Sequence, residues 1–154
     1  MLLPFFRWAD HTWAAVYIRD STWIFALLEV FHLFGLTLLL GTLSVIALRM
    51  CNAGLMRQSL KDVASDAFPF TIAGMVVTIG SGILLFVSEA LKCYASTPFF
   101  IKMGFLFAGL IVTFTIQRRA SRTEQPSPAA KYVAVLMLVL WFGVGLAGRA
   151  IAFF

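Results

Sequence analysis

Five ionisable side chains stand inside stretches otherwise built from Phe, Leu, Val, Ile, Ala and Gly: Glu29, His32, Glu89, Lys102 and Arg149. Two acids, two bases and an imidazole are the residue types that bind acidic ligands, hold a heme or a metal ion, or relay protons. In hydrocarbon each charged group costs about 2.5 to 3.5 kcal/mol, so each needs a partner or a purpose. One arrangement is a clasp that fixes helix register, pairing Glu29 with Arg149 and Glu89 with Lys102. The other is a polar pocket that receives a ligand. His32 fits either, hydrogen-bonded to Glu29 or to a backbone carbonyl in the first, ligating a metal or a heme in the second.

The elements that carry these groups are membrane helices. Of 154 residues, 61% are apolar or aromatic and only 12% are charged, whereas soluble domains are about one quarter charged. Crossing the hydrocarbon takes about 20 helical residues, and four stretches reach that length: 22–48, 68–91, 98–117 and 131–154. Asp20 and Ser21 can cap the first, Asp66 and Pro69 open the second, and Thr97 with Pro98 opens the third. The expected fold is therefore all-α, a four-helix transmembrane bundle forming one domain over 1–154. Ahead of it, residues 4–18 place Phe5, Trp8, Ala9, Trp13, Val16 and Tyr17 on one side and Arg7, Asp10, His11 and Ala14 on the other. That pattern predicts a short amphipathic helix lying in the lipid interface and retained in the mature chain.

Lys and Arg concentrate in two of the connections. Arg49, Arg57 and Lys61 follow the first span, and Arg118, Arg119, Arg122 and Lys131 follow the third, against Arg7, Arg19 and Lys92 on the opposite side. The loops 49–67 and 118–130 should then be cytoplasmic and both termini outside, periplasmic for a bacterial inner membrane. In this topology the five intramembrane groups share the outer half of the bilayer. Each span also has a small or polar stripe that includes its ionisable residue: Glu29, His32, Gly35 and Leu36; Thr71, Gly74, Thr78, Ser81, Gly82 and Glu89; Lys102, Gly109, Thr113 and Gln117; Leu138, Trp141, Gly145 and Arg149. Small residues let helices approach closely in lipid, so these stripes should face one another. Trp141 reads as packing, and Lys92 and Tyr94 as interfacial anchors.

The net charge of +5 is scattered in short clusters rather than gathered on an aromatic-interleaved face, which argues against a nucleic-acid partner. Cys51 and Cys93 fall on opposite sides of the membrane and cannot form a bridge within one chain. There is no phosphate-cradling glycine loop, zinc-type Cys or His pair, nucleophile elbow or HExxH, so no reaction is legible. The lipid bilayer is the expected partner; a homo-oligomer or a role as accessory subunit of a membrane complex stays open.

The segments EVFHLFGLTLLLGT, TIGSGILLFVSEALKCY, PFFIKMGFLFAGLIVTFTIQRR and LWFGVGLAGRAIAF resemble an uncharacterised family of small bacterial four-span membrane proteins, domain of unknown function 6644. More remotely, a histidine in the first span, a Gly-rich second span, and a Lys opening the third with Arg at its end are similar to bundles of the CopD and HemJ type. That second resemblance implies heme b as cofactor with His32 as a ligand, although Gln117 stands where a histidine or polar aromatic would be expected. The leading expectation is a ligand-, heme- or metal-binding or accessory protein whose pocket is built by Glu29, His32, Glu89, Lys102 and Arg149. Alternatives are a heme-dependent membrane oxidoreductase, with Lys102 or Arg149 facing a propionate, and a proton or metal-ion conduit through Glu29 and His32.

Overall fold

The computed structural model describes residues 3–120 and 122–151, and the regular structure of the described residues is all helical, joined by turns and short connections. Its elements are α1 (Leu3–Asp10), α2 (Trp13–Asp20), α3 (Thr22–Met50), α4 (Leu60–Ser88), α5 (Ala90–Ala95), α6 (Thr97–Ala120) and α7 (Ala130–Ala150). Four of them, α3, α4, α6 and α7, are long and apolar enough to cross a membrane, and the protein is an all-helical integral membrane protein. The part of the fourth predicted span at 152–154, like Ser121 in the 118–130 loop, lies outside the described residues.

Local chemistry explains most boundaries. The Ser21 hydroxyl accepts from the Ile24 amide at 3.4 Å and starts α3; the Ser59 hydroxyl accepts from the Asp62 amide at 3.0 Å and starts α4. The second long helix thus begins well before the Asp66 and Pro69 pair expected to open it. Pro69 lies inside α4, where it deprives the Ser65 carbonyl of its helical donor, a loss the flanking turns tolerate. At the other end α4 stops at Ser88, because Glu89 leaves helical geometry at φ −130° and ψ 37°. Residues Ala90–Ala95 then form the separate short helix α5. The amphipathic lead-in also divides: Thr12 caps α2 by accepting from the Ala15 amide at 3.3 Å, splitting α1 from α2.

The chain packs as two antiparallel hairpins, α3 with α4 and α6 with α7, joined mainly through α3 and α7; α4 and α6 touch only sparsely. The first hairpin is held at backbone contact. A Cβ on Gly74 would come within 2.8 Å of the Leu39 amide nitrogen, and one on Gly35 within 2.9 Å of the Thr78 nitrogen. Below this crossing, Leu39, Leu43, Ile46, Met137 and Trp141 fill the interior. Trp141 is fully buried, and its indole N–H donates to the Thr113 hydroxyl at 2.9 Å.

One end of the bundle carries the α3–α4 and α6–α7 connections; it is the loop end. Here Arg49 is 1% exposed. Its guanidinium donates to the Gln58 carbonyl at 2.7 Å, the Asn52 side-chain oxygen at 2.8 Å and the Gln125 side-chain oxygen at 3.2 Å. Arg49, expected among the loop charges, is a buried tie between the two connections. The Leu60 amide donating to the Glu124 carbonyl and the Gln117 side chain donating to the Ala64 carbonyl strengthen the same junction.

The opposite end is capped by α1, α2 and α5. Phe6 and Ala9 of α1 pack with Ala90 and Cys93 of α5, against Phe86, Tyr94 and Phe99. Phe5, Trp8, Trp13, Val16 and Tyr17 are exposed, an outward aromatic face of the kind that settles at headgroup depth. Ala9, expected with them, is instead on the protein side. Arg19 pairs with Asp10 at 3.0 Å and reaches the Ser88 carbonyl at 3.4 Å, tying α1, α2 and the end of α4 together.

Candidate functional site

All five intramembrane ionisable residues lie in the half of the bundle toward the capped end, but they are not one cluster. Glu29 is exposed on the surface of α3, and Arg149 is exposed on α7. Glu89 sits at the break between α4 and α5, and its carboxylate meets Lys92 at 3.3 Å. Lys92, expected to be a solvated anchor, therefore takes the place that Lys102 holds in the anticipated pairing. Among the described residues no carboxylate lies within ion-pair distance of Lys102. His32 and Lys102 are half-buried and within electrostatic range of each other.

His32 is fixed by the helix it crosses. Its Nδ1 lies 3.0 Å from the Ser81 hydroxyl oxygen. The Ser81 hydroxyl has the Val77 and Thr78 carbonyls of its own helix to donate to, and with its proton placed there it accepts from the ring. Nδ1 then carries the ring proton, and Nε2 presents a lone pair. Histidines that ligate metals or accept protons are held this way, through the ring nitrogen that does not react. Of the two partners expected for the ring, Glu29 one turn earlier is not what orients it; a backbone carbonyl, that of Thr78, does so together with the Ser81 hydroxyl.

Two glycines make room for the pair. A Cβ on Gly82 would stand 3.2 Å from Cε1 of His32, and a Cβ on Gly148 would stand 3.3 Å from Nζ of Lys102. At both positions the close neighbour is the polar side chain itself rather than a helix backbone. Each of α3, α4, α6 and α7 thus contributes to one place: His32, Ser81 with Gly82, Lys102, and Gly148. Thr78, one turn along α4 from Ser81, is buried, and among the described residues its hydroxyl oxygen has no hydrogen-bond partner. Gly148 was absent from the sequence-derived site, since nothing in a one-dimensional pattern distinguishes it from Gly145. Ser81 and Gly82 were on the predicted stripe, without a sign of which side chain they would meet.

Cys93 lies beside this place, buried in α5 under α1. Burial pushes its thiol up, the Glu89 carboxylate adds to that, and the Lys102 and Lys92 ammonium groups oppose it. Cys51, at the loop end of α3, is exposed; both thiols are free. His11 is remote, its Nδ1 lying 2.8 Å from the Arg7 carbonyl in the exposed turn after α1. An apolar cavity of about 370 Å³ lies along Ile72, Met75, Val76, Ile79 and Phe114, and another of about 280 Å³ lies near Thr42, Gln58 and Phe70; neither is lined by His32 or Lys102. Among the described residues no three His, Cys, Asp or Glu side chains gather to hold a metal ion. The place could take an acidic group, whose anion the ammonium would pair and whose proton the imidazole Nε2 could accept.

Residues 5–154 match a family described as "Family of unknown function (DUF6644)", and the chain belongs to that family. No curated protein and no solved structure matches it.

Proposed function

We propose that this member of a family without assigned function is a membrane-embedded binding protein for a small acidic ligand, held between His32 and Lys102 in the half of the bilayer nearer the capped end. The observation that carries the reading is the orphan status of Lys102, an ammonium at membrane depth with no carboxylate from the described residues, beside an imidazole whose Nε2 is left open by the Ser81 contact. A structural clasp would pair Lys102 internally, because an unpaired buried charge is costly. An incoming carboxylate or phosphate offsets that cost.

The surplus of Lys and Arg at the loop end, with Arg57, Lys61, Arg118, Arg119, Arg122 and Lys131 against Arg7, Arg19 and Lys92, supports a cytoplasmic loop end and an outward-facing cap. The site then lies in the outer leaflet, facing the periplasm in a bacterial inner membrane. The deciding experiment is mass spectrometry of small molecules extracted from protein purified in mild detergent. An acidic compound present with the wild type and depleted with both Lys102→Met and His32→Ala is expected. Identical extracts from all three would refute the reading.

A heme is the second reading, favoured by the orientation of His32. His32 would hold the iron through Nε2, and Lys102 would pair with a propionate. Bound there, it would supply electron-transfer chemistry. Titration with hemin should give a Soret band that His32→Ala abolishes; a band of equal intensity in His32→Ala would exclude His32 as its ligand.

A further inference from the structure

The way into this site is restricted by the aromatic cap. Phe86 lies one turn beyond Gly82 on α4, and Phe99 one turn before Lys102 on α6. Their rings stack at 5.4 Å and 16°, directly on the capped side of the two polar residues. Phe6 of α1, 5% exposed, stands edge-on to both, at 5.4 Å from Phe86 and 6.2 Å from Phe99. Tyr94 closes on the same ring at 5.1 Å. The Asp10 and Arg19 ion pair, with the Arg19 contact to the Ser88 carbonyl, holds α1 and α2 over the end of α4. From the loop end the way is filled by Leu39, Leu43, Met137 and Trp141. What remains is the side wall, where α4 and α6 barely touch and the surrounding medium is hydrocarbon.

We propose that the site takes its ligand sideways from the bilayer, through the gap between α4 and α6, so that the ligand is a lipid-dissolved acidic amphiphile rather than a water-soluble acid, with Phe6 keying a plug against water. This rests on the binding site formed by His32 and Lys102. An apolar tail suits the wall it passes: the groove along Ile72, Met75, Val76, Ile79 and Phe114 lies in that gap. The acidic head stays with Lys102.

The test uses protein in lipid nanodiscs carrying Cys51→Ser. His32→Cys reports from the site, and the native Cys93 reports from the plug itself in a protein otherwise unchanged. N-ethylmaleimide, which enters lipid, should modify His32→Cys, whereas a charged methanethiosulfonate should leave it and Cys93 intact. Phe6→Ala removes a large buried ring and should raise the charged reagent's rate at both thiols by about tenfold or more. In parallel, oleate should raise the melting temperature of the wild type but not of Lys102→Met, and butyrate should not raise either. Charged reagent reaching position 32 as fast as N-ethylmaleimide under the intact cap, or butyrate stabilising as strongly as oleate, would overturn the inference while leaving the site. Oleate stabilising Lys102→Met as strongly as the wild type would remove the site and the inference together.

Discussion

Gly35 offers the sharpest trial of how the fold sets up the chemistry. It lies one turn from His32 on α3, and its missing Cβ would fall 2.7 Å from Cγ1 of Val77, 2.8 Å from the Thr78 hydroxyl oxygen and 2.9 Å from the Thr78 nitrogen. Ordinary contact begins near 3.4 Å, and the backbone nitrogen cannot rotate away. In Gly35→Ala the two helices must therefore part by about 0.5 Å at this level, the difference between 3.4 Å and 2.9 Å. The His32 to Ser81 bond, 3.0 Å long and one turn away on both helices, would then stretch to about 3.5 Å, beyond useful hydrogen bonding. Overpacking of this kind costs about 1 to 3 kcal/mol, and the lost bond belongs within that sum. Gly41, Gly80 and Gly104 provide the control, since a Cβ on any of them meets nothing within 4 Å. The assay has two readouts on one sample: thermal unfolding followed by tryptophan fluorescence, and nitrogen NMR of labelled histidine, with His11→Gln removing the other imidazole. The wild type should show protonated Nδ1 and bare Nε2, and Gly35→Ala should mix the tautomers and melt earlier, while Gly80→Ala does neither. A Gly35→Ala protein as stable as Gly80→Ala, with the wild-type tautomer, would refute the claim that backbone contact between α3 and α4 positions the imidazole.

At the loop end, Arg49→Met should lower stability by about 2 to 3 kcal/mol, because the three acceptors it satisfies are left without their charged donor; a chemical or thermal unfolding curve matching that of Arg57→Met would dismiss the tie. Trp141→Phe should cost about 1 kcal/mol through the lost indole bond, and in a cycle with Thr113→Val the two losses should fall short of additive, full additivity arguing against the bond. For Cys93, the sign follows from the raised thiol. The folded state holds its proton more tightly than the unfolded chain does, so this contribution to stability is complete below the ordinary thiol range and is lost as pH rises through the folded value. Maleimide modification of Cys93 in Cys51→Ser should therefore show a rate profile displaced to higher pH than that of a free thiol. Glu89→Gln should move the profile back down, since Glu89 adds to the upward push; a profile that stays put would deny that contribution.

Four spans are legible because apolar length is a property of sequence alone, needing no knowledge of neighbours. The stripe containing Thr71, Gly74, Thr78 and Ser81 is similarly legible, and all four are buried. Helical periodicity sorts faces correctly when a face is broad. What periodicity cannot do is decide which of several partners a side chain meets. Glu89 could pair with Lys92 three residues away or with Lys102 on another helix, and the break at Glu89 places the nearer lysine within reach. Glu29 shares a turn with His32, yet helix α3 turns it to the surface. The buried role of Arg49 was hidden for a related reason: its acceptors at Asn52, Gln58 and Gln125 belong to connections whose course no periodic pattern describes.

These departures redistribute the charges in a way that favours a site. Had the acids expected to neutralise the bases stayed in the layer, His32 and Lys102 would be spent in internal pairs. Instead Glu89 is engaged by Lys92 and Glu29 faces outward, so the ammonium of Lys102 keeps its need for an anion in a place where water is scarce. The imidazole beside it is held by a serine whose only proton is committed to its own backbone, an arrangement that fixes orientation without consuming Nε2. Neutral second partners of this kind leave the ligating or accepting atom available. A replacement such as Ser81→Ala should therefore be tolerated by the fold but should blur the tautomer and weaken whatever Nε2 holds, whereas loss of Glu29 should leave both unchanged. That contrast between an unassuming hydroxyl and a conspicuous carboxylate discriminates a ligand site organised by α4 from a charge layer organised by ion pairs.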